Sequence, residues 1–515
     1  MLSVLQKTGR AGFSVLQHVL GRVFPVAGNP LNHLGALTIF FCWIVLVSGI
    51  WLFMFFRTSV SGAFESVEYL THEQWYLGGI MRSLHRYASD ALIITLLLHI
   101  LKEFSFDNYR AKRWFSWVSG IPLVWIIFPL GITGYWLVWD ELAQYVALTS
   151  AELLDRIPIF TGSMAANFLT DTGLSDRFFT LMAFLHLVGL PIFLVFGIWL
   201  HLFRLSRPSI NPPRRLMAGC LLAMLVAAAI FPAHSQGKAD LAFMPETIQF
   251  DWFYLHAFPL VERFSPGLTW LLLVIITALL VVAPWLPPMR RALPAKVDLD
   301  NCNGCQRCAD DCPYSAIEMR PRSDGKSYAR EAVVDPDLCV SCGICVGACP
   351  TASPFRTRSE LIPGIDLPAL SAAELRESIV NTRLADDSAN PRILVFSCKG
   401  NPVAGRLRQA GEAVVEVVCM GQIPPSYFDF ALSRGIADGI ALTACTDGDC
   451  RFRFGTDWTE QRIARTRDPH LRKRVDGSHI EMLWQSNRIA RQNPATLIER
   501  FRRSIVSGSK PGDVT

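Results

Sequence analysis

The sequence predicts a multidomain protein, in which an all-α transmembrane bundle of six spans precedes a small α+β domain and a small α/β domain. Two observations predict this order. Hydrophobic residues make up 51% of the 515 residues and charged residues only 18%, whereas soluble domains are about one-quarter charged. Of the 14 cysteines, 12 lie after residue 300. This composition excludes a disordered chain, a secreted disulfide-rich mini-protein and an ordinary cytosolic enzyme.

Six apolar segments predict the membrane domain, which we place at residues 35–292. A helix needs about 20 apolar residues to cross the hydrocarbon core of a bilayer. Most of the segments reach this length, and the fifth is shorter but carries no charge. Residues 1–34 are predicted to form a segment on the membrane surface. The six segments are Gly35–Phe56, Leu77–Leu101, Trp114–Trp139, Phe178–Phe203, Leu216–Ala233 and Gly267–Pro288.

The cations of the short loops predict the orientation of the bundle. Cytoplasmic loops carry an excess of Lys and Arg, and here the excess follows the second, fourth and sixth segments. The N-terminus and everything after Pro288 should therefore be cytoplasmic, in the cytoplasmic (inner) membrane of a bacterium or an archaeon. Because these loops account for the small net charge of +5, no nucleic-acid partner is expected. The cations are Lys102, Arg110, Lys112, Arg113, Arg204, Arg207, Arg214, Arg215, Arg290, Arg291 and Lys296.

Four histidines form two pairs with matching spacing. His85 and His99 are 14 residues apart in the second segment, and His186 and His201 are 15 apart in the fourth. With a rise of 1.5 Å per residue, the members of a pair are roughly 21–23 Å apart along a helix and near the same face. Two such helices facing each other would make two stacked bis-imidazole sites, enough for two b-type haems. The alternative is four unrelated polar residues in the bundle.

Glycines and arginines support the haem interpretation. Two pairs of glycines, 14 residues apart in the first and third segments, would let a bulky flat group approach the helix backbone. The alternative for them is ordinary packing of small residues. Arg82 and Arg86 flank His85 and could pair with haem propionates, or could extend to the membrane interface. The glycines are Gly35, Gly49, Gly120 and Gly134.

These features together resemble the cytochrome b family of the bc and b/f complexes, over residues ~30–290. The resemblance implies a four-helix haem core followed by further helices, and it allows a homodimer. On the predicted orientation, His99 and His201 would bind the haem on the cytoplasmic side, and His85 and His186 the outer haem. Asn32-His33-Leu34 stands where the b/f branch has a cysteine, so no covalent haem is expected. The matching segments are GGIMRSLHRYASDALIITLLLHI, SGIPLVWIIFPLGITGYWLVWD and FFTLMAFLHLVGLPIFLVFGIWLH.

The segment FDWFYLHAFPLVERFSPGL resembles the outer quinol site of the same family, with departures. The usual Pro-Glu-Trp-Tyr reads Phe250-Asp251-Trp252-Phe253, and the Pro-Trp after the third segment reads Val138-Trp139. Asp251 is therefore the candidate catalytic group that would transfer a proton to or from quinone. The alternative for Asp251 is a solvated loop acid. The departures favour a reaction of quinone on the cytoplasmic side, near the haem of His99 and His201.

A doubled cysteine run predicts two [4Fe–4S] clusters in a ferredoxin-like α+β domain, residues 296–360. The run C-x₂-C-x₂-C-x₃-C-P is typical of bacterial ferredoxins, in which the fourth cysteine ligates the other cluster. Zinc and disulfides are the alternatives, and cytoplasmic placement argues against disulfides. One cluster is assigned to Cys302, Cys305, Cys308 and Cys349, and the other to Cys339, Cys342, Cys345 and Cys312.

The remainder of the chain predicts a linker with one short helix (361–390), an α/β domain (391–505) and a tail (506–515). Four cysteines follow strand-like runs of the α/β domain and could meet at one edge of its sheet. From spacing alone, zinc remains an alternative to an iron–sulfur cluster. Two further cysteines, Cys42 and Cys220, lie in apolar segments and are interpreted as packing residues. The four cysteines are Cys398, Cys419, Cys445 and Cys450.

Residues ~391–480 resemble the delta (iron–sulfur) subunit of methyl-viologen-reducing hydrogenases. The resemblance is carried by SCKGNPVAGRL, VVCMGQIPPSYFDFALSRGIADGIAL and ACTDGDCRFRFG. It implies a [2Fe–2S] cluster and electron exchange with a heterodisulfide-reductase-like flavoprotein. An extra cysteine that is frequent in that family is Asn401 here.

The predicted function is a membrane-bound electron-transfer subunit, the quinone-reactive part of an oxidoreductase complex. It would pass electrons between a cytoplasmic redox partner, either a flavoprotein or dehydrogenase subunits, and the membrane quinone pool. The sequence shows no nucleophile–base pair and no nucleotide-binding fingerprint, so oxidation of an organic substrate by this chain alone is not expected. Two alternatives are reverse flow from quinol to a cytoplasmic reductase, and a non-redox membrane anchor for a partner complex.

Overall fold

The computed structural model of the chain contains two compact units, each described here by itself. The first comprises Met1–Ala11, His33–Phe203 and Ser209–Pro287, and the second comprises Gly12–Asn32, Arg204–Pro208 and Pro288–Thr515. The structure describes residues 2–24, 28–110, 113–157, 163, 169, 174–205, 208–243, 245, 247–287, 293–356, 360–382, 390–399, 401–445, 450–485 and 493–507.

Helices account for the regular structure of the first unit. The N-terminal segment contains the helix Leu2–Leu20, which crosses the boundary between the units. The fourth predicted span is a continuous helix in which the π-helical turn Leu185–Gly189 joins two α-helical stretches. The second span likewise begins with a π-helical turn, Trp75–Gly79. The remaining α-helical elements of this unit are Leu34–Phe53, Gly62–Glu68, Ile80–Ser105, Trp114–Val138, Glu141–Leu154, Asp176–Phe184, Leu190–Leu202, Arg214–Ile230, Phe258–Arg263 and Pro266–Val282.

Five helices among the described residues are long and apolar enough to cross a membrane, one fewer than predicted. Between 11% and 33% of the most apolar window of each is buried within the protein, so most of their apolar surface faces outward, as lipid contact requires. The fifth predicted span forms the helix Arg214–Ile230, with 17 residues. At 1.5 Å per residue it is about 26 Å long, slightly less than the ~30 Å hydrocarbon core. The five are Leu34–Phe53, Trp75–Ser105, Trp114–Val138, Asp176–Leu202 and Pro266–Trp285.

The spans of the first unit pack in pairs. The first span packs along the second, and the third packs along the fourth. Ala88, Leu92 and Ile93 of the second span and Leu123 and Ile127 of the third belong to one buried apolar core. The pairing places the glycine-bearing spans against the histidine-bearing spans.

Two antiparallel ladders frame the predicted ferredoxin region of the second unit. Strand β1 (Lys296–Val297) pairs with β4 (Ile365–Asp366), and β2 (Ile317–Pro321) pairs with β3 (Arg330–Val334). Short helices follow each cysteine-rich loop, at Arg307–Asp310 and Ile344–Ala348. The segment predicted as a linker contains β4 and one helix, Ala372–Val380.

A four-stranded parallel sheet with the order β6-β5-β7-β8 forms the C-terminal region. The three predicted strand-like runs form β5 to β7, and β8 was not predicted. Every residue of β5 and β7 is buried, as expected for a parallel sheet covered on both faces. The strands are β5 (Ile393–Cys398), β6 (Ala413–Val417), β7 (Gly439–Thr443) and β8 (Ile480–Met482), and the helices are Pro402–Gln409, Ser426–Ser433, Gly455–Ile463 and Pro494–Ser507.

Candidate redox centres

His85 and His186 face each other from the second and fourth spans. Their ring centroids are 6.3 Å apart, with an angle of 62° between the ring planes. Two imidazoles that ligate one metal from opposite sides, with bonds of about 2 Å, would have ring centres about 6 Å apart. The separation of this pair therefore fits a single metal held between the two rings.

Each of the four predicted glycines lies against one of the four histidines. A methyl group added at Gly49 would come within 2.9 Å of His85 Cε1, and one at Gly134 would come within 2.9 Å of His186 Cε1. The equivalent distances are 3.3 Å from Gly35 to His99 and 3.2 Å from Gly120 to His201. The glycines therefore make room for the histidine rings themselves, which the sequence did not predict.

Hydroxyl groups orient three of the imidazoles. The Nδ1 atoms of His85, His186 and His201 lie 3.0, 3.2 and 3.3 Å from the hydroxyls of Ser48, Thr133 and Ser119. His186 Nδ1 also lies 2.9 Å from the carbonyl oxygen of Leu130. A hydrogen bond at Nδ1 leaves Nε2 available for a metal and fixes the orientation of the ring. Each hydroxyl residue directly precedes a predicted glycine, a signal that the sequence prediction missed.

The π-helical turn compensates for the unequal spacing of the two histidine pairs. His186 lies on the turn Leu185–Gly189, and a π-helical turn contains one residue more than an α-helical turn. The 15-residue interval from His186 to His201 is therefore equivalent to about 14 α-helical steps. His201 and His99 lie close enough to interact electrostatically, so the second predicted pair also comes together.

A cavity of about 550 Å³ adjoins the first histidine pair and is lined by both rings, Gly49 and Gly134. This volume lies within the range of ordinary cofactor and ligand pockets. Arg82 and Arg86 also line the cavity, where a propionate could reach them. The ring separation, the glycine clearances and this cavity fit a haem.

Arg82 and Arg86 have protein partners in this structure. Arg82 donates to Ser235 Oγ at 2.7 Å and lies 3.5 Å from Glu68. Arg86 forms ion pairs with Asp90 at 3.0 Å and with Asp251 at 2.6 Å. Both arginines therefore form specific contacts within the protein, and extension to the membrane interface alone does not describe them.

Asp251 is buried, with 2% of its side chain exposed. Tyr135 donates a hydrogen bond to its Oδ2, the Phe253 amide donates to its Oδ1 at 2.7 Å, and Arg86 pairs with it. Asp251 also lines the same cavity as His85. The alternative interpretation of Asp251 as a solvated loop acid is therefore wrong.

The eight ferredoxin-type cysteines fall into two sets. The cavity beside Met319 is lined by Cys302, Cys305, Cys308 and Cys349, which we call the Cys302 set. Cys345 interacts with Cys342, Cys312 and Cys339, and also with Cys308 of the first set. We call Cys312, Cys339, Cys342 and Cys345 the Cys342 set. Each set combines three cysteines of one run with the fourth cysteine of the other run, which is the grouping expected for the ligands of two clusters.

Burial makes an isolated thiolate unfavourable at these positions. Burial, reinforced by Cys349, Cys305 and Cys302, raises the pKa of the Cys308 thiol to about 12. Metal ligation requires the thiolate, and the positive charge of a metal would supply the missing stabilisation. The donor set therefore fits an iron–sulfur cluster better than free thiols.

The last four cysteines meet at the carboxyl ends of the parallel strands. Cys398 ends β5, and Cys419 and Cys445 each follow a strand by two residues. The side chains of Cys398 and Cys450 each lie close enough to those of Cys419 and Cys445 to interact with both. The chain reverses its direction across the sheet beside β5, and ligands of open α/β sheets bind at such a switch point. We call these four residues the C-terminal set.

Three family models match three successive parts of the chain. Residues 22–208 match cytochrome b/b6/petB, residues 301–353 match a 4Fe-4S dicluster domain, and residues 403–506 match the delta subunit of methyl-viologen-reducing hydrogenase. Each predicted resemblance is confirmed. The first match contains all four histidines and the second all eight cysteines of the dicluster, whereas Asp251 and Cys398 lie outside the matched residues.

Similar proteins cover the cytochrome b-like region. Cytochrome b6 of Acaryochloris marina is 24% identical over 39% of this chain and 93% of its own length. The cytochrome b subunit of a menaquinol:cytochrome c reductase from Geobacillus thermodenitrificans is 27% identical over 36% of this chain and 86% of its own length. A solved chain of a hyperthermophilic respiratory Complex III aligns with a TM-score of 0.42 and 17% identity, over 50% of this chain and 74% of that chain.

Together the matches and the five apolar helices support an integral membrane electron-transfer subunit. A cytochrome b region implies haem b, and a dicluster region implies [4Fe–4S] clusters. The hydrogenase delta match implies redox partners outside this chain.

Proposed function

We propose that this chain is the quinone-reactive subunit of a membrane oxidoreductase complex, and that it carries electrons from a cytoplasmic partner to membrane quinone. The observation that supports this most strongly is the joint presence of two histidine pairs and three cysteine sets in one chain. Electron transfer between several fixed centres needs such ligands and no substrate-binding nucleophile. The cytoplasmic partner is a flavoprotein or a dehydrogenase, and the chain assembles as a homodimer.

Two haems b are proposed, each of which supplies a one-electron carrier when bound. His85 and His186 hold the outer haem, and His99 and His201 hold the haem on the cytoplasmic side. Arg82 and Arg86 are the proposed partners of the propionates. The hydroxyls behind the rings keep Nε2 directed towards the metal.

The cysteine sets are proposed to hold three clusters. The Cys302 set and the Cys342 set each bind one [4Fe–4S] cluster, because thiolates suit iron–sulfur centres and the run is that of a bacterial ferredoxin. The C-terminal set binds one [2Fe–2S] cluster. With two haems, the full chain would carry about twelve iron atoms.

Quinone is proposed to react on the outer side, beside the His85/His186 pair. The burial of Asp251 next to Arg86 and its position in the cavity support this side over the cytoplasmic alternative. Reduction of quinone consumes protons, and Asp251 is the proposed group that delivers one. Tyr135, which donates to Asp251, would hold that carboxylate in place.

The proposed topology has six spans with both soluble ends in the cytoplasm. The helix Arg214–Ile230 serves as the short fifth span, since a bilayer adapts to small mismatches of length. An even number of spans returns the chain to its starting side, in agreement with the distribution of cations in the loops. Cysteine-labelling of exposed sites on intact and permeabilised cells tests this arrangement.

Stopped-flow spectroscopy of the purified full-length protein tests the proposed function. Protein reduced with dithionite and then mixed with a quinone should be reoxidised at both the iron–sulfur and the haem wavelengths. Reduction of the haems by quinol followed by reduction of the clusters would support reverse flow instead. A protein without haem and without clusters would leave only the role of a membrane anchor.

Asp251→Asn should slow the reoxidation by quinone about 100-fold, since a positioned acid or base contributes roughly 10²–10⁴-fold to a rate. The haem spectra should remain, because Asp251 is not a ligand. The measurement is the stopped-flow rate, with Glu65→Gln, an exposed acid of the same unit, as the matched control. A wild-type rate for Asp251→Asn would contradict the assigned role.

Gly455→Ala should remove the C-terminal cluster and lower the iron content by about two atoms per chain. A methyl group at Gly455 would overlap Cys419 Sγ and lie 3.2 Å from Cys450 Sγ. Gly405→Ala is the control, since nothing lies within 4 Å of a methyl group there. The measurement is metal analysis by mass spectrometry. Zinc in the wild-type protein and unchanged iron in Gly455→Ala would favour a zinc site.

A further inference from the structure

A buried carboxylate joins the dicluster region to the C-terminal region. Asp311 directly precedes Cys312, and 4% of its side chain is exposed. Arg462, with 1% exposed, pairs with its Oδ2, and Arg467 pairs with its Oδ1 through Nε at 2.8 Å and through Nη2. We call Asp311, Arg462 and Arg467 the Asp311 ion cluster. None of these three residues was predicted from the sequence.

Such a group stays buried only where its partners are held in place. An isolated buried charge is very costly, and removal of one partner from a buried pair is strongly destabilising. Further bonds surround the ion cluster: Trp458 Nε1 donates to the Asp311 carbonyl at 3.1 Å, and Arg453 donates to the Pro313 carbonyl at 2.8 Å. The contact between the two iron–sulfur regions is therefore fixed by buried, directional interactions.

The ion cluster reaches both of the neighbouring cysteine sets. Arg462 Nη1 donates to the carbonyl of Gly421 at 3.0 Å, two residues after Cys419, while Asp311 adjoins Cys312. Cys342 and Cys419 belong to one buried apolar cluster, against which Cys450 packs. The ion cluster thus connects the backbone beside a ligand of the Cys342 set to the backbone beside a ligand of the C-terminal set.

Glycines permit the close approach of these two sets. A methyl group at Gly421 would lie 3.0 Å from Ile344 Cγ1 and 3.0 Å from Gly455 Cα. A methyl group at Gly347 would overlap the carbonyl oxygen of Gly421. Ile344 and Gly347 lie within the second cysteine run. The Cys302 set, by contrast, lines a cavity made entirely of residues between 302 and 365.

We propose that the Asp311 ion cluster is a positioning element that holds the C-terminal set beside the Cys342 set and away from the Cys302 set. The proposal rests on the proposed function, in which these sets bind clusters. The proposal defines the order of electron transfer. Transfer of one electron would oxidise the centre held by the C-terminal set by one electron and reduce the centre held by the Cys342 set by one electron. The Cys302 set is then reached only through the Cys342 set.

Electron paramagnetic resonance of the reduced full-length protein tests this order. When both centres are reduced, the spin relaxation of the [2Fe–2S] signal should be accelerated by the neighbouring [4Fe–4S] centre. The acceleration should persist in Cys305→Ala, which disrupts the Cys302 set, and disappear in Cys342→Ala. This readout depends on the separation of the centres and does not require turnover.

Variants of the ion cluster test the positioning role. Arg467→Gln and Asp311→Asn should weaken the acceleration, and Arg467→Lys should restore it. Arg307→Gln is the matched control, because Arg307 pairs with Asp468 across the same two regions at 2.9 Å but is exposed, and exposed pairs contribute little. Arg467 is partly exposed, so Arg467→Gln remains informative if Asp311→Asn does not fold.

The outcomes separate the inference from the proposed function. Loss of the acceleration in Cys305→Ala and not in Cys342→Ala would overturn the proposed order. Wild-type relaxation in Arg467→Gln, or an equal loss in Arg307→Gln, would overturn the positioning role while the clusters remain. The absence of any [2Fe–2S] signal from the wild-type protein would overturn the proposed cluster content, and the inference with it.

Discussion

Replacement of His201 by leucine should stop the reoxidation of the reduced clusters by quinone. His201 is one of the two proposed ligands on the cytoplasmic side, and it lies close enough to the other, His99, to interact electrostatically. The loss of a group that only orients a metal ligand costs about 10–100-fold, so the loss of the ligand itself should cost more. Dithionite should still reduce the clusters, because their cysteines lie in the other unit of the chain.

The measurement is the stopped-flow rate of reoxidation at the iron–sulfur wavelengths, together with the haem content. His72→Leu is the control, since His72 is an exposed histidine of the same unit that pairs with Glu68. His186→Leu should be equally damaging if quinone reacts beside Asp251, and harmless if it reacts on the cytoplasmic side. A wild-type rate in His201→Leu would contradict the whole proposed route.

Gly134→Val should lower the haem content from two haems per chain to one. Even a single methyl group at Gly134 would come within 2.9 Å of His186 Cε1, a distance that side-chain carbons do not adopt in folded proteins. The ring must then leave its position opposite His85 and its contacts with the Leu130 carbonyl and the Thr133 hydroxyl. The remaining haem should be the one held by His99 and His201.

The haem content is measured by the pyridine haemochrome assay, and the surviving haem is identified from its redox titration. Gly219→Val is the control, because nothing lies within 4 Å of a methyl group at this position of the fifth predicted span. Two haems in Gly134→Val, or an equal loss in Gly219→Val, would contradict the assigned role of Gly134.

Local spacing in the sequence was sufficient for several of these features. The two ferredoxin runs predict their two sets because three of the four ligands of each set lie within seven residues of one another. The histidine pairs and the apolar segments could also be predicted from the sequence, since the first depend on helical periodicity and the second on the length of an apolar helix. The strand-like runs before Cys398, Cys419 and Cys445 correctly predicted that these cysteines meet at one edge of a sheet.

Other features depend on contacts between distant parts of the chain. From the sequence, Asp251 could equally be a solvated loop acid. In the structure it is buried against Arg86 and Tyr135. The glycines predict room for a flat group, but only the packing of the spans shows that each one faces a histidine. The fifth predicted span forms a helix of 17 residues between Pro213 and Pro232, without the additional turn that lengthens the sixth span to Pro266–Trp285.

The residue types and the intervals of the candidate ligands can be predicted from the sequence, because both are local properties of a helix or a short loop. The tertiary structure alone decided which ligands face one another. The π-helical turn at Leu185–Gly189 realigns His186 with His201, and the parallel sheet gathers cysteines as much as 52 residues apart in the chain. The Asp311 ion cluster joins residues more than 150 positions apart. A buried carboxylate needs counter-charges nearby, and only the tertiary structure brings distant arginines to it.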